Sequence, residues 1–340
     1  MSGSGVSEWL RDRIGWEQIR AALEAHRAPR RSFFFYLGSI TAFLLLVQVT
    51  SGVLLVLYYQ PDATQAFGSV QRIDGGIPYG HLVRAVHVWA SDLFVASVLA
   101  HLLTILIRRS FKPPHELSWL SGLVALFLSI GLAFTGAVLP WNQTAYTHAR
   151  VGSEFAKYVP LIGPWLKRFM RGGDEITAST LGHAYGFHVA VLPAALTALV
   201  LAHLFFLSRK PANVAKDEKD SLPLYPDFFV RSAAAWTGVV VLLMTLAIFF
   251  ERSLGVAADA TAPSTGRPPW YFLPFHQIVR VAPKELLGVD GARFLMGAAT
   301  LVGLALALLP FIDRRGSKVT AWVASVFVVV LLLLAASAIQ

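Results

Sequence analysis

Seven stretches of this chain are long and apolar enough to cross a lipid bilayer, and that restricts what it can fold into. They run over about 33–59, 84–107, 118–139, 185–207, 229–250, 293–311 and 319–339. A hydrocarbon core of about 30 Å takes about 20 helical residues to span. No water reaches the backbone there, so each stretch must satisfy its own N–H and C=O groups as an α-helix. The expected class is therefore an all-α membrane protein with seven transmembrane helices. A chain that is 55% hydrophobic and only 14% charged agrees with this.

The polar segments between the spans set the organisation. Residues 1–32 hold SEWLRDRIGWEQIRAAL, whose Trp9, Leu10, Ile14, Trp16, Ile19 and Leu23 recur at a loose helical spacing. This reads as an amphipathic helix on the membrane surface, with a solvated arm as the alternative. The start through Gly15 is polar and of mixed charge, unlike a cleavable signal peptide. Residues 209–227 (RKPANVAKDEKDSLPLYPD) form a charged linker, which divides a four-helix part, 33–210, from a three-helix part, 211–340.

The net charge of +9 could point to nucleic acid, but the basic residues flank the apolar spans, which is a topology signal. With the N-terminus inside, 17 Lys and Arg lie in inside segments and 11 in outside ones. The short loops decide: 108–117 and 313–318 hold three each, whereas 60–82 holds only Arg72. The expected N-terminus is cytoplasmic and the C-terminus outside. The chain contains no cysteine. Disulfides, thiolate metal sites, iron–sulfur clusters ligated by this chain and thioether-attached haem are thereby excluded.

Two of the spans carry surplus histidines. His87 and His101 are 14 residues apart in the second span, and His188 and His203 are 15 apart in the fourth. At about 100° and 1.5 Å per residue, each pair lies on roughly one helix face at two levels about 21–22 Å apart. Both spans run from outside to inside, so His87 and His188 share the outer level and His101 and His203 the inner one. Facing each other, the two helices offer two stacked bis-imidazole sites, as two b-type haems require. A histidine in an apolar helix is more often a hydrogen-bonded packing residue, but intramembrane polar groups are costly and tend to be functional.

Glycines repeat the period. Gly38 and Gly52 in the first span, and Gly122 and Gly136 in the third, are each 14 apart. Glycine permits the close backbone approach a flat macrocycle between four helices demands, although membrane helices also use it for mutual contact. Arg84, one turn outward of His87, could meet a haem propionate or snorkel to water. Asp92, about 140° round from His87, could serve a proton relay or a buried hydrogen bond. Two other classes fit the histidines alone: a di-haem membrane anchor passing electrons to quinone, and a transporter using histidines as proton relays.

The four histidines, the glycine pairs and two loop motifs together resemble cytochrome b of the quinol-oxidising Rieske/cytochrome b complexes, over nearly the whole chain. Thr135–Gln143 (TGAVLPWNQ) is similar to the family's third-helix end, and HVAVLP (His188–Pro193) to its fourth-helix start. PPWYFLP (Pro268–Pro274) resembles its Pro-Glu-Trp-Tyr motif. The 15-residue histidine spacing, VPLIGPWLKRFMRGG and FHQIVRVAPKELLGV look like the split form of oxygenic photosynthesis and its separate subunit IV, fused here in one chain.

The resemblance implies a cytochrome b subunit of a quinol:cytochrome c, or similar, oxidoreductase. It implies two non-covalent bis-His b haems, a Rieske iron–sulfur subunit and a c-type cytochrome as partners, a homodimeric complex and a bacterial inner membrane. Quinol would be oxidised on the outer side by Pro268, Pro269, Trp270, Tyr271 and His276 with the segment after the third span. Electrons would pass through the outer and then the inner haem to quinone at an inner site, completing a proton-motive Q cycle. Arg209, Lys210 and Asp227 lie on the side of that inner site, where a charged membrane-surface linker is the alternative.

The chain departs from the family pattern in three places. Pro269 stands where the motif's glutamate should be, so another group must take the quinol proton, with His276, Asp92 and Glu251 as candidates. This departure leans toward menaquinol as substrate. Tyr36 replaces the cysteine that binds an extra haem in the split form, so no covalent haem is expected. An eighth helix of the mitochondrial type is not expected in the three-helix part.

Overall fold

The computed structural model describes residues 36–209, 221–262, 267–315 and 317–337, together with Glu17, Ala21 and Arg27–Pro29. The surface helix expected over 1–32 lies outside the described residues.

The fold is helical throughout. Leu37–Val56 (α1) is followed by a short Ala66–Gly76 (α2) and then by Gly80–Arg108 (α3) and Glu116–Val138 (α4). Two surface helices come next, Gln143–Ala156 (α5) and Gly163–Arg171 (α6), leading into Ala178–Arg209 (α7). The C-terminal part holds Leu224–Phe249 (α8), Leu273–Val281 (α9), Gly291–Ala307 (α10), Leu309–Ile312 (α11) and Lys318–Ser337 (α12). By length and composition α1, α3, α4, α7 and α8 can each cross a membrane, and α10 and α12 contain shorter apolar helices. The sixth apolar stretch breaks early because Pro310 cannot continue α10 and begins the single turn of α11 instead.

Local chemistry places the helix ends. Asn142 caps α5, its side chain accepting from the Ala145 N–H. Thr177 and Thr180 form a reciprocal capping box at the start of α7. Gly172 ends α6 in the left-handed conformation (φ 69°), which glycine adopts without steric cost. Helix α7 is not regular. Pro193 has no N–H to give the ladder, and over Phe187–Val191 the bonding shifts to a π turn, with Leu192 N–H bonded to the Phe187 carbonyl.

Helices α1, α3, α4 and α7 form a four-helix bundle, with α1 against α3 and α4 against α7. Helix α8 docks on α1 and α3, α12 on α3, and α10 and α11 on α4. Leu44, Ala90, Phe94, Leu196 and Leu243, one or two from each of four helices, fill the middle of the bundle. A second cluster closes one end around Phe134, Trp141, Ile176 and Leu181, and a third closes the other around Leu106, Phe111, Trp119 and Ala321. Trp119 fixes that third cluster by donating from Nε1 to the Leu306 carbonyl at 2.9 Å. The outward faces stay apolar, as at Val53 on α1, Phe249 on α8 and Trp322 on α12. Such a surface is stable against lipid and would be costly in water.

Two short strand pairings are present among the described residues, one of them between distant segments. Arg27–Pro29 (β1) pairs antiparallel with Ser221–Pro223 (β2), bringing the N-terminal segment beside the linker before α8. Glu285–Leu286 (β3) pairs with Val289–Asp290 (β4) in a tight hairpin ahead of α10.

Candidate functional site

The four intramembrane histidines meet in the two predicted pairs. His87 and His188 face one another with ring centroids 6.2 Å apart and ring planes at 83°. Two metal–nitrogen bonds of about 2 Å, plus the distance from each nitrogen to its ring centre, require a separation of roughly 6 Å. One metal ion fits between them. His101 and His203 are close enough to act on each other electrostatically. The π turn explains how unequal spacings agree: it winds less per residue than an α-helix, so α7 takes up its fifteenth residue without turning His188 away from α3.

Each imidazole has a glycine at its back. A Cβ added at Gly52 would lie 3.3 Å from His87 Cε1, and one at Gly136 only 2.5 Å from His188 Cε1. At the other level, Gly38 stands 3.4 Å from His101 Cε1 and Gly122 3.3 Å from His203 Cε1 by the same measure. The four glycines thus make room for the imidazole of the neighbouring helix, α1 for α3 and α4 for α7.

Hydrogen bonds fix three of the four tautomers. Ser51 Oγ lies 2.8 Å from His87 Nδ1 and gives its own proton to the Val47 carbonyl, so the ring nitrogen donates. Ser121 Oγ holds His203 Nδ1 at 3.0 Å while donating to Ser118. His188 Nδ1 donates to the Leu132 carbonyl at 3.0 Å. A proton held on Nδ1 leaves the Nε2 lone pair free for a metal and raises its basicity. His101 Nδ1 is buried without a partner. Among the described residues, no group of three or more His, Cys, Asp or Glu is placed to hold a metal. Two imidazoles per site therefore suit an ion whose other ligands come with it, as a haem supplies them.

The PPWY motif lies against the bundle near the His87/His188 pair. Tyr271 is buried with Val95 of α3 and Ala133 of α4. Trp270 Nε1 donates to Asp92 Oδ1 at 2.9 Å, and Arg252 donates to Oδ2 at 2.6 Å. The Arg252 guanidinium stacks on Trp89 at 3.7 Å, and Trp89 Nε1 donates to the Phe250 carbonyl. Asp92 thus binds the motif and the end of α8 to α3. Pro268 is buried and Pro269 and Trp270 are half-buried. Arg84 pairs with Asp74 at 2.5 Å and donates to the Arg252 carbonyl at 2.8 Å. Glu251 is exposed.

The segment after α4 faces this motif. Asn142 bridges to Ala257, and the Gln143 N–H donates to the Val256 carbonyl at 2.9 Å. From α5, Phe155 packs on Phe272 and edge-on to His276, each at 6.3 Å. Arg171, buried beneath, clamps α5 to α6 through Ser153 and Glu154. Burial raises the Glu154 carboxyl, but bonds from Lys167 and Lys157 outweigh it and hold the group at about 2.

One residue beside the PPWY loop escaped the sequence reading. His148 on α5 has its Nδ1 buried without a partner, and burial lowers the ring to about 4 despite a hydrogen bond to the Arg267 backbone. His276 also has a buried, unpartnered Nδ1 and is lowered, first by burial and then by Arg280 and Arg267. The only available signal for His148 was its seven-residue distance, two helical turns, from Phe155.

At the opposite end, Arg209 is exposed with its guanidinium 5.0 Å from the Phe205 ring, and Asp227 is exposed in the turn opening α8. Lys210 lies outside the described residues. Tyr36 stacks on Phe228 at 5.1 Å.

Comparison with known proteins agrees across the chain. The family described as Cytochrome b/b6/petB matches residues 24–211, and that described as Cytochrome b(C-terminal)/b6/petD matches 256–340. The chain is 32% identical, over 92% of its length and 74% of the relative's, to the cytochrome b subunit of a cytochrome bc complex from Chlorobaculum thiosulfatiphilum. It is 37% identical to cytochrome b6 of Heliobacterium modesticaldum over 58% of this chain and 95% of that one. In fold it is similar to a chain of a hyperthermophilic respiratory Complex III, with a TM-score of 0.85, 24% identity, and coverage of 98% of this chain and 91% of the other.

Proposed function

The chain belongs to the cytochrome b family and is an integral-membrane subunit of a bc-type complex, and from that premise we propose that it oxidises quinol at one membrane face and reduces quinone at the other. Membership implies b-type haem. Two would be held here, non-covalently, one by His87 and His188 and one by His101 and His203. When bound, they supply one-electron carriers at two depths. The observation that carries this reading is the register of four imidazoles, each backed by its own glycine, with the His87/His188 rings at the separation one metal ion requires.

The rest follows from what the residues do. Ser51, Ser121 and the Leu132 carbonyl keep Nε2 of their histidines unprotonated and aimed. The PPWY loop and α5 form the outer quinol site, with Asp92 holding Trp270 in place. Arg209, Lys210 and Asp227 are assigned to the inner quinone site. Residues 33–210 form the four-helix haem part and 211–340 a subunit IV-like part, giving seven spans with a cytoplasmic N-terminus. Partners are a Rieske iron–sulfur subunit and a c-type cytochrome in a dimeric complex that runs a Q cycle. Arg84 is already engaged by Asp74, so a haem propionate would compete with that carboxylate for it.

The test is quinol-driven reduction in the isolated complex. Adding a quinol should reduce b-type haem, as seen in the optical spectrum, and then an added c-type acceptor. A complex that contains b haem but stays oxidised under excess quinol would contradict the reading.

A further inference from the structure

Pro269 leaves the outer site without a carboxylate in its motif, and a quinol bound there must still lose two protons. Asp92 is occupied, accepting from both Arg252 and Trp270. Glu251 points to solvent. Two histidines, His148 on α5 and His276 on α9, have a buried ring nitrogen with no partner. Buried polar atoms of folded proteins are almost always bonded, so such orphans call for an explanation.

Both imidazoles lie where α5 meets the Arg267–Val281 segment. His148 lies seven residues before Phe155, on the same face of α5, and Phe155 packs edge-on to His276. His148 also bonds to the Arg267 backbone, next to the motif, and the Arg267 charge acts on His276. With Nδ1 unpartnered, that backbone bond uses His148 Nε2, which leaves the Nδ1 lone pair to accept. Burial, with Arg267 and Arg280 at His276, favours the neutral, proton-accepting form of both rings. A general base must offer such a lone pair within hydrogen-bond reach of the proton it takes.

We propose that His276, with His148 beside it, is the proton acceptor for quinol at this outer site in place of the missing carboxylate. The proposal rests on the quinol-oxidising reading above. For each proton taken, a quinol O–H bond breaks and an N–H bond forms at imidazole Nδ1. The two electrons leave to one-electron acceptors, a Rieske-type iron–sulfur cluster and a b haem. Each imidazolium then passes its proton to the outer aqueous phase, so the quinol becomes quinone with both protons and both electrons accounted for.

The experiment measures quinol oxidation by the whole complex, against pH, in wild type, His276→Gln, His148→Gln and the double variant. Glutamine keeps polarity and approximate size but cannot take up a proton at these pH values. His276→Gln should lower kcat about 100-fold, the low end of the usual scale of a general base because His148 remains, with KM and haem content unchanged. The double variant should lose more. The wild-type rate should hold on acidification to below the ordinary imidazole value of about 6.5, because both rings are shifted toward the neutral form. Introducing Pro269→Glu into the double variant should restore turnover. Wild-type kcat and pH profile in the double variant, with quinol still reducing b haem, would overturn this proposal while leaving the quinol reading intact. No quinol-driven reduction in wild type would instead overturn the reading on which it rests.

Discussion

At the outer end of the bundle both ring nitrogens facing away from the metal position are bonded, His87 to Ser51 and His188 to Leu132. Of the four histidine-facing glycines Gly136 is the tightest and would put a Cβ 2.5 Å from its imidazole. At the inner end only His203 is bonded in this way, His101 Nδ1 has no partner, and the corresponding glycine distances are 3.3–3.4 Å. The outer end is also roofed by α5, α6 and the PPWY loop, cross-tied through Asn142, Asp92 and Arg171. One end is held by hydrogen bonds and close packing, the other mainly by packing. A site where a diffusing substrate must hand over electrons and protons in order needs its nearest cofactor and its own walls fixed together, and preorganisation of this kind limits how far reacting groups can stray. The outer end therefore tolerates less change.

Four changes would break or sharpen that contrast. The largest effect belongs to the ligands. His188→Ala should remove one of two b haems and leave the other, and His203→Ala should do the reverse; each is checked by haem content in the isolated complex. Next come the glycines. Gly136→Ala forces a Cβ into the His188 ring, and overpacking of this kind costs about 1–3 kcal/mol, or roughly thirtyfold in outer-haem affinity at the middle of that range. Gly38→Ala meets ordinary contact distance and should change inner-haem retention by no more than about twofold. Equal losses in the two would erase the difference between the ends. A smaller effect is expected from Asp92→Asn, which removes a charged acceptor from Arg252 and loosens Trp270. Hydrogen bonds to charged groups contribute about 1.5–3 kcal/mol, partly regained by the amide, so KM for quinol should rise several-fold with haem content intact. Ser51→Ala should change least. Without the Nδ1 bond His87 becomes a weaker donor, so the outer haem's midpoint potential should rise while the inner one stays put in a redox titration.

Much of this was legible in the chain because it depends on period. Spans of about 20 apolar residues, histidines at fourteen and fifteen, and glycines at fourteen all project directly onto helix geometry. The pairing of His87 with His188 could be read that way, since a common helix direction puts both at one level. What could not be read depends on contacts between distant residues. Asp92 finds its partners 160 and 178 residues away, at Arg252 and Trp270. The π turn at Phe187–Val191 follows from a local rearrangement near Pro193 that no hydrophobic pattern records. The glycines were read as permitting the close approach of a macrocycle; that each also lies against an imidazole of the neighbouring helix is visible only in the fold. His148 went unremarked because its two-turn distance from Phe155 gains meaning only once folding brings α5 over the motif.

The most direct measurement of the central claim counts non-covalent b haem per chain in the isolated complex and resolves it by potential. Two haems per chain, titrating as two separate one-electron steps, are expected, with His87→Ala removing one step and His101→Ala the other. A single haem in wild type, or both steps lost together whichever level is altered, would contradict two independently built sites.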